Sequence, residues 1–363
     1  MFALLGGQVV EAIRDTELIL EGRRAAPAIV GALALLATAG LGIAADIPIV
    51  PVLPPIPPPP PQICNNGVYA DAAYLRMTRQ DPDATPLVSV DDPDDILDAA
   101  DFSFGWSSGV QARAGILFSR LGIELGGFWI SPWSSYVERV GPFDDPVIET
   151  TPETLVLAPT AVLATNETRI FGADANVVIQ VNPNILMFGG VAFISLADSL
   201  EIGLTVDLLP TGPSPDEGYS VYTWDTLNRM IGPQFGARVS LGSLLPGTFF
   251  LGADIRAGLL FNFIQNSVFA DRDVLLGDLT GTDTAFSISP MVGAGVKVGF
   301  QATSNIALTA GYQALWLGNV ALAPDQVAQT GDMNIARPGA VSLGTATNDF
   351  FTHGLEIGIK IRF

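Results

Sequence analysis

From residue 68 onward apolar and polar residues alternate. In WSSGVQARAGILF (106–118) the even positions carry Trp106, Val110, Ala112, Ala114, Ile116 and Phe118, while Gln111, Arg113 and two glycines take odd ones. Period two with one apolar side is the signature of a strand. Only Ser119 and Arg120 separate this run from LGIELGGFW, where Leu121, Ile123, Leu125 and Trp129 share a face opposite Glu124. So short a link predicts a hairpin.

The same pattern recurs in RIFGADANVVIQV, NRMIGPQFGARVSL, FFLGADIRAGLLFNF and SISPMVGAGVKVGF. It places strands near 68–78, 104–118, 121–133, 167–181, 185–197, 226–241, 248–264, 285–300, 305–317 and 351–363. Globular strands average about five or six residues, and crossing hydrocarbon at a tilt takes about nine to eleven. Short links near 119, 182, 243 and 302 interleave with long, acidic ones near 79–103, 134–166, 198–225, 265–284 and 318–349. The fold class is therefore all-β: a transmembrane antiparallel up-and-down barrel of about ten strands, with short periplasmic turns and long acidic extracellular loops. An even count puts both termini on the short-turn side. If SLEIGLTVDLL (199–209) forms its own hairpin the count becomes twelve.

The chain closes on FFTHGLEIGIKIRF. Leu355, Ile357, Ile359, Ile361 and Phe363 are expected on lipid, with Glu356, Lys360 and Arg362 inside. Outer-membrane barrels end in this way, so Phe363 is expected to be the insertion signal read by the barrel assembly machinery. Unpaired backbone is costly in hydrocarbon, so the last strand must pair with the first.

Ahead of the barrel, residues 1–45 read as a leader and signal peptide: Arg23 and Arg24, then an Ala/Leu/Gly-rich run with cleavage sites after Ala44 or Ala45. The run is also long enough to span a bilayer as a helix. Residues 46–67, with PPIPPPPPQIC, read as a Pro-rich periplasmic tether in polyproline II form, leaving 68–363 for the barrel.

Composition narrows the class. Hydrophobic residues make up 48% and charged ones 15%, and Lys plus Arg (17) against Asp plus Glu (37) gives a net charge of −20. That excludes nucleic acid as a natural partner. Cys64 is the only cysteine, so neither an intrachain disulfide nor a cysteine zinc site is possible. VDDPDDILDAAD (90–101) lacks the spacing of an EF-hand and reads as a solvated acidic surface biasing entry toward cations. No metal or cofactor is expected.

Four stretches resemble a known family: NRMIGPQFGARVSL, GGVAFISLADSLEI, VGAGVKVGFQATSNIALTAGYQALWLGNV and HGLEIGIKIRF. They are similar to the bacterial outer-membrane beta-barrel porin family known as porin-7, although Ala192 and Ile194 stand where an aromatic- and Arg-bearing strand is usual. The resemblance implies a bacterial outer-membrane barrel with a porin role and carries no catalytic residues.

Inward-facing charges are the candidate site. Arg113, Arg238, Arg256 and Lys297, with Glu124, Asp174, Asp254 and Glu356, are expected to form one lumen belt, Arg113 pairing with Glu124. Such a belt is either a constriction sorting small solutes or ions by size and charge or a salt-bridged filling of a narrow barrel. The competing functions are a structural barrel and a surface adhesin. An enzyme is not expected, since His353 is the sole histidine and has no nucleophile arrangement around it. Trp106, Trp129, Trp133, Trp224 and Trp316, near loop-side strand ends, are expected to form an aromatic girdle facing outer-membrane lipid. Solute identity and oligomeric state stay open.

Overall fold

The computed structural model describes residues 66–90, 97–141, 146–148, 159–207, 217–245, 249–271, 278–331 and 339–363. The expected leader, nearly all of the expected tether, and residues 91–96 of the acidic stretch lie outside these residues.

Among the described residues ten long strands make the wall: β1 Asn66–Arg79, β2 Ser107–Phe118, β3 Leu121–Val140, β4 Pro159–Asn182, β5 Ile185–Asp207, β6 Glu217–Leu245, β7 Phe249–Asp271, β8 Leu279–Gln301, β9 Ile306–Val320 and β10 Asn348–Arg362. Each pairs antiparallel with the next, and β1 closes on β10 with Ala72 opposite Ile359, so no edge is left open. Beyond β10, the Phe363 amide donates to the Val68 carbonyl at 2.9 Å. The β2–β3 link is the expected two-residue turn, with Ser119 at φ 62°. SLEIGLTVD continues β5, so the count is ten and not twelve.

The outer face is the apolar one. Ile357 and Leu125 are 65% and 66% exposed, and Ile123, Phe235, Ile255, Leu259 and Val296 stand out beside them. So many exposed large apolar side chains on one continuous wall require a non-aqueous neighbour.

Several strands run far past the expected limits on the long-loop side; β4 begins at Pro159 where 167 was expected. The pleat carries on while its polarity reverses. Beyond the lipid-facing band the inward positions become apolar (Leu196, Leu200, Ile202, Leu204, Tyr222, Val268), and Glu201 and Asp225 point outward. A strand in water with a packed inner face needs that inversion.

Filling this end is a core of Leu87, Val88, Phe102, Leu322, Val327 and Phe350 packed on the inner wall. Two connections supply most of it. The β1–β2 connection holds strands 86–90 and 97–98, which form a small sheet with 146–148, and a 3-10 turn Ala99–Asp101 capped by Asp98. The β9–β10 connection holds α1, Ala323–Val327, started by Pro324, and residues 339–340 paired parallel to β8.

The aromatic girdle needs correction. Trp106 and Trp129 are exposed on the outer wall, and Trp316 is half-buried there. Trp133 and Trp224 instead point inward and are 2% and 0% exposed, their indole N–H groups donating to the Met77 carbonyl and to Thr330 Oγ1. For Trp133 the cause is a β-bulge between Ile130 and Trp133, which flips the face of every later residue of β3. For Trp224 the cause is parity, since it shares a face with Thr226, Asn228 and Met230.

Candidate functional site: the barrel interior

The short-turn half of the interior is charged. Asp71 on β1 lies directly opposite Arg113 on β2 and Lys360 on β10, 3.9 Å from each. Glu124, on β3, is 1% exposed and accepts paired hydrogen bonds of 2.6 and 2.7 Å from Arg238 on β6. It also accepts one of 2.6 Å from the Tyr69 hydroxyl and lies 3.3 Å from Arg113 Nε. Because β3 and β6 are not neighbours, Glu124 and Arg238 join opposite parts of the wall across the lumen. Lys297 on β8 does the same toward β10, 2.8 Å from Glu356, while keeping Asp254 on β7 at 3.8 Å.

The remaining two members of the belt are less tied. Asp174 accepts a 2.5 Å bond from Asn176. Arg256 sits 6.0 Å above the Phe128 ring and, among the described residues, forms no ion pair. All eight belt residues thus point inward and crowd into one tier.

Close backbone approach lets such long side chains lie flat. Gly115 stands opposite Tyr69, and a Cβ there would come within 2.5 Å of the phenol ring that reaches Glu124.

Above this tier a second polar layer anchors the loops. Arg79 reaches Asp198 at 3.1 Å and also bonds Thr168, again linking distant strands. Asp198 in turn accepts the Ala323 amide at 2.9 Å. Asn228 holds Ala321 through both its carbonyl and its amide, and Asn266 bonds Gln326 of α1. The loop core is therefore fastened by hydrogen bonds and not merely packed.

Little free space remains. A cavity of about 20 Å³ lies among Arg113, Asp174, Arg238, Asp254 and Arg256, and one of about 110 Å³ among Asp71, Lys297, Glu356 and Lys360. The first has room for about one water. The two share Gln111, Arg113 and Arg238, so the larger leads into the smaller.

Sequence reasoning missed several of these groups. Asp71 and Tyr69 share a face by simple alternation and could have been found. Lys360 was placed inside without a partner. Nothing in the sequence joins Arg79 to Asp198, which is 119 residues away.

Comparison with known proteins follows from this architecture. Residues 274–363, the strands β8 to β10, match the family described as putative beta barrel porin-7. It is the family the sequence resembles. The match points to a bacterial outer membrane as the location of this porin-7 barrel.

No curated protein matches the chain by sequence. Among solved structures, the outer membrane protease OmpT of Escherichia coli is 12% identical, covering 82% of this chain and 97% of that one, with a TM-score of 0.47. The attachment invasion locus protein Ail of Yersinia pestis is 8% identical over 83% and 100%, with a TM-score of 0.25. The toluene transporter TodX of P. putida is 8% identical over 82% and 90%, with a TM-score of 0.28.

Proposed function

We propose that this barrel sits in the outer membrane with its short turns in the periplasm and passes small solutes or ions passively through a narrow charged lumen. Its own loops close that lumen in the conformation described. The observation that carries the reading is the charged vestibule of about 110 Å³, lined by Asp71, Lys297, Glu356 and Lys360, which leads toward the loop core. Charged rings of this kind sort solutes by sign and size.

Opening requires the β9–β10 connection to leave. Its anchors are hydrogen bonds from Asn228, Trp224 and Asp198, which exchange readily with water once the core loosens. The reading is non-catalytic. His353, the sole histidine, stands on the outer wall against Tyr312 and Phe351.

Planar-bilayer recording of the wild type and of Trp224→Ala tests this. Brief, small openings are expected from the wild type and longer ones from the variant. A second reading, a structural barrel without conduction, is favoured by the cross-lumen pairs Glu124–Arg238 and Arg79–Asp198. Silence from both proteins across a wide voltage range would establish that reading and remove the first.

A further inference from the structure

Charge on the outer wall is ordered. From the short turns upward, the outward column of β6 reads Val239, Ala237, Phe235, Pro233 and Ile231 before its first charge, Arg229; Asp225 comes beyond. In β4 the outward run from Val181 to Phe171 is uncharged, Arg169 follows, and Glu167 lies beyond it. In β1 the outward positions Val68, Ala70, Ala72 and Tyr74 lead to Arg76. Three columns thus pass from apolar to arginine, and two of them then to carboxylate.

Cross-strand register puts these arginines near one level. Arg76 is opposite Ser108, Gly109 is opposite Ile130, Ile130 is opposite Ile170, and Arg169 is opposite Ala197, which faces Leu227. In a chain of net charge −20, cations on the outside gather where the lipid-facing band ends. A guanidinium is costly at the bilayer centre and nearly free at its interface, where lipid phosphates lie.

The three are not equivalent. Arg169 is neutralised by Glu167 at 2.5 Å. Arg76 stays exposed, donating to Ser108 Oγ at 3.1 Å beside exposed Tyr74 and Trp106. Arg229 lines an outer-wall groove of about 390 Å³ with Phe263, Gln265, Thr284 and Phe286. There Phe263 and Phe286 meet edge to face at 5.6 Å, giving an apolar floor, and Gln265 and Thr284 supply hydrogen-bonding groups beside the cation.

We propose that the groove at Arg229 binds one anionic membrane lipid, its phosphate on the guanidinium and an acyl chain along Phe263 and Phe286, and that Arg76 offers a weaker second contact on the same ring. Guanidinium pairs with phosphate oxygens bidentately, which gives selectivity over a zwitterionic headgroup whose phosphate is already compensated. The inference needs only that the wall stand in lipid, so it does not depend on conduction.

Native mass spectrometry of the full chain in detergent tests it, with phosphatidylglycerol and phosphatidylcholine of identical acyl chains as probes. The wild type is expected to retain phosphatidylglycerol at least fivefold more than phosphatidylcholine. Arg229→Gln should cut that retention at least threefold, and Arg139→Gln, which removes a charge above the band, should leave it unchanged. Equal retention of the two lipids by the wild type, equal losses in both variants, or full displacement of the lipid by millimolar inorganic phosphate would overturn the proposal. The wild-type preference stands as a test even if Arg229→Gln fails to fold.

Discussion

Glu124→Gln is the perturbation that separates a dry, bridged interior from a water-filled one. The substitution keeps the volume and removes the charge that Arg238 grips at 2.6 and 2.7 Å and that Arg113 approaches at 3.3 Å. Two unit charges about 4 Å apart interact by about 1 kcal/mol in water and about 4 kcal/mol at an effective dielectric constant near 20. The Glu124 side chain has no solvent exposure and that of Arg238 is 19% exposed, so the second regime applies. Removing one member of such a pair strands the other, at a cost of about 3–5 kcal/mol, whereas an exposed pair is worth about 0–1 kcal/mol. The assay is urea unfolding of the barrel in lipid vesicles, followed by tryptophan emission. A loss of about 3 kcal/mol or more is expected for Glu124→Gln, and the double variant Glu124→Leu with Arg238→Leu should recover most of it. A single-variant loss below about 1 kcal/mol would mean that water already screens the pair, and the account of a bridged lumen would be refuted.

Other consequences are as specific. Burial pushes the Asp325 carboxyl up to about 6, against neighbouring Asp83 and Asp198 and with help only from Arg79 and an Asn348 hydrogen bond. A carboxyl raised in the folded state stabilises fully below its unfolded value near 3.8 and loses that contribution as pH rises through about 6, here at most about 3 kcal/mol. Proteolysis of the β9–β10 connection should therefore speed up between pH 5 and 7 (roughly one unit either side of that value), and Asp325→Asn should flatten the profile. In single-tryptophan variants, brominated lipid should quench Trp129 and spare Trp224; quenching of both would contradict the inward assignment. Gly115→Ala should push Tyr69 off Glu124 and cost about 1–3 kcal/mol in the same urea assay. Deleting Phe363 should lower assembly in cells without lowering the stability of protein refolded in vitro, and unchanged assembly would remove its role as a signal.

The strand count was legible because lipid permits no lapse in alternation. In β10 each of Leu355, Ile357 and Ile359 had to face out, so Glu356 and Lys360 had to face in. Strand length was not legible for the same reason in reverse. Once β5 leaves the band, Leu200, Ile202 and Leu204 turn inward onto the loop core, and the apolar half of the pattern changes sides without breaking. Trp224 could have been assigned by counting parity from Asn228. Trp133 could not, because the bulge before it leaves no mark in the residues. That eight charges share the interior was readable from period two, but which of them meet was not. Glu124 and Arg238 are 114 residues apart and come together only when the sheet curls shut.

The loop core left no pattern to read. ALAPDQV (321–327) looks like ordinary connection, and only the closed wall gives Leu322 and Val327 an apolar partner.

Adjacent positions on β9 offer the most direct test of the whole arrangement. Leu308 is 50% exposed on the outer wall and Ala307 is 4% exposed inside. With Cys64 replaced by alanine, spin labels at Leu308→Cys and Ala307→Cys in vesicles should report opposite surroundings: collision with membrane-dissolved oxygen at 308, and shielding from oxygen at 307. Equal oxygen access at the two sites, or water-soluble nickel reagent reaching 308 more readily than 307, would contradict a wall whose greasy side meets lipid and whose other side encloses a bridged interior.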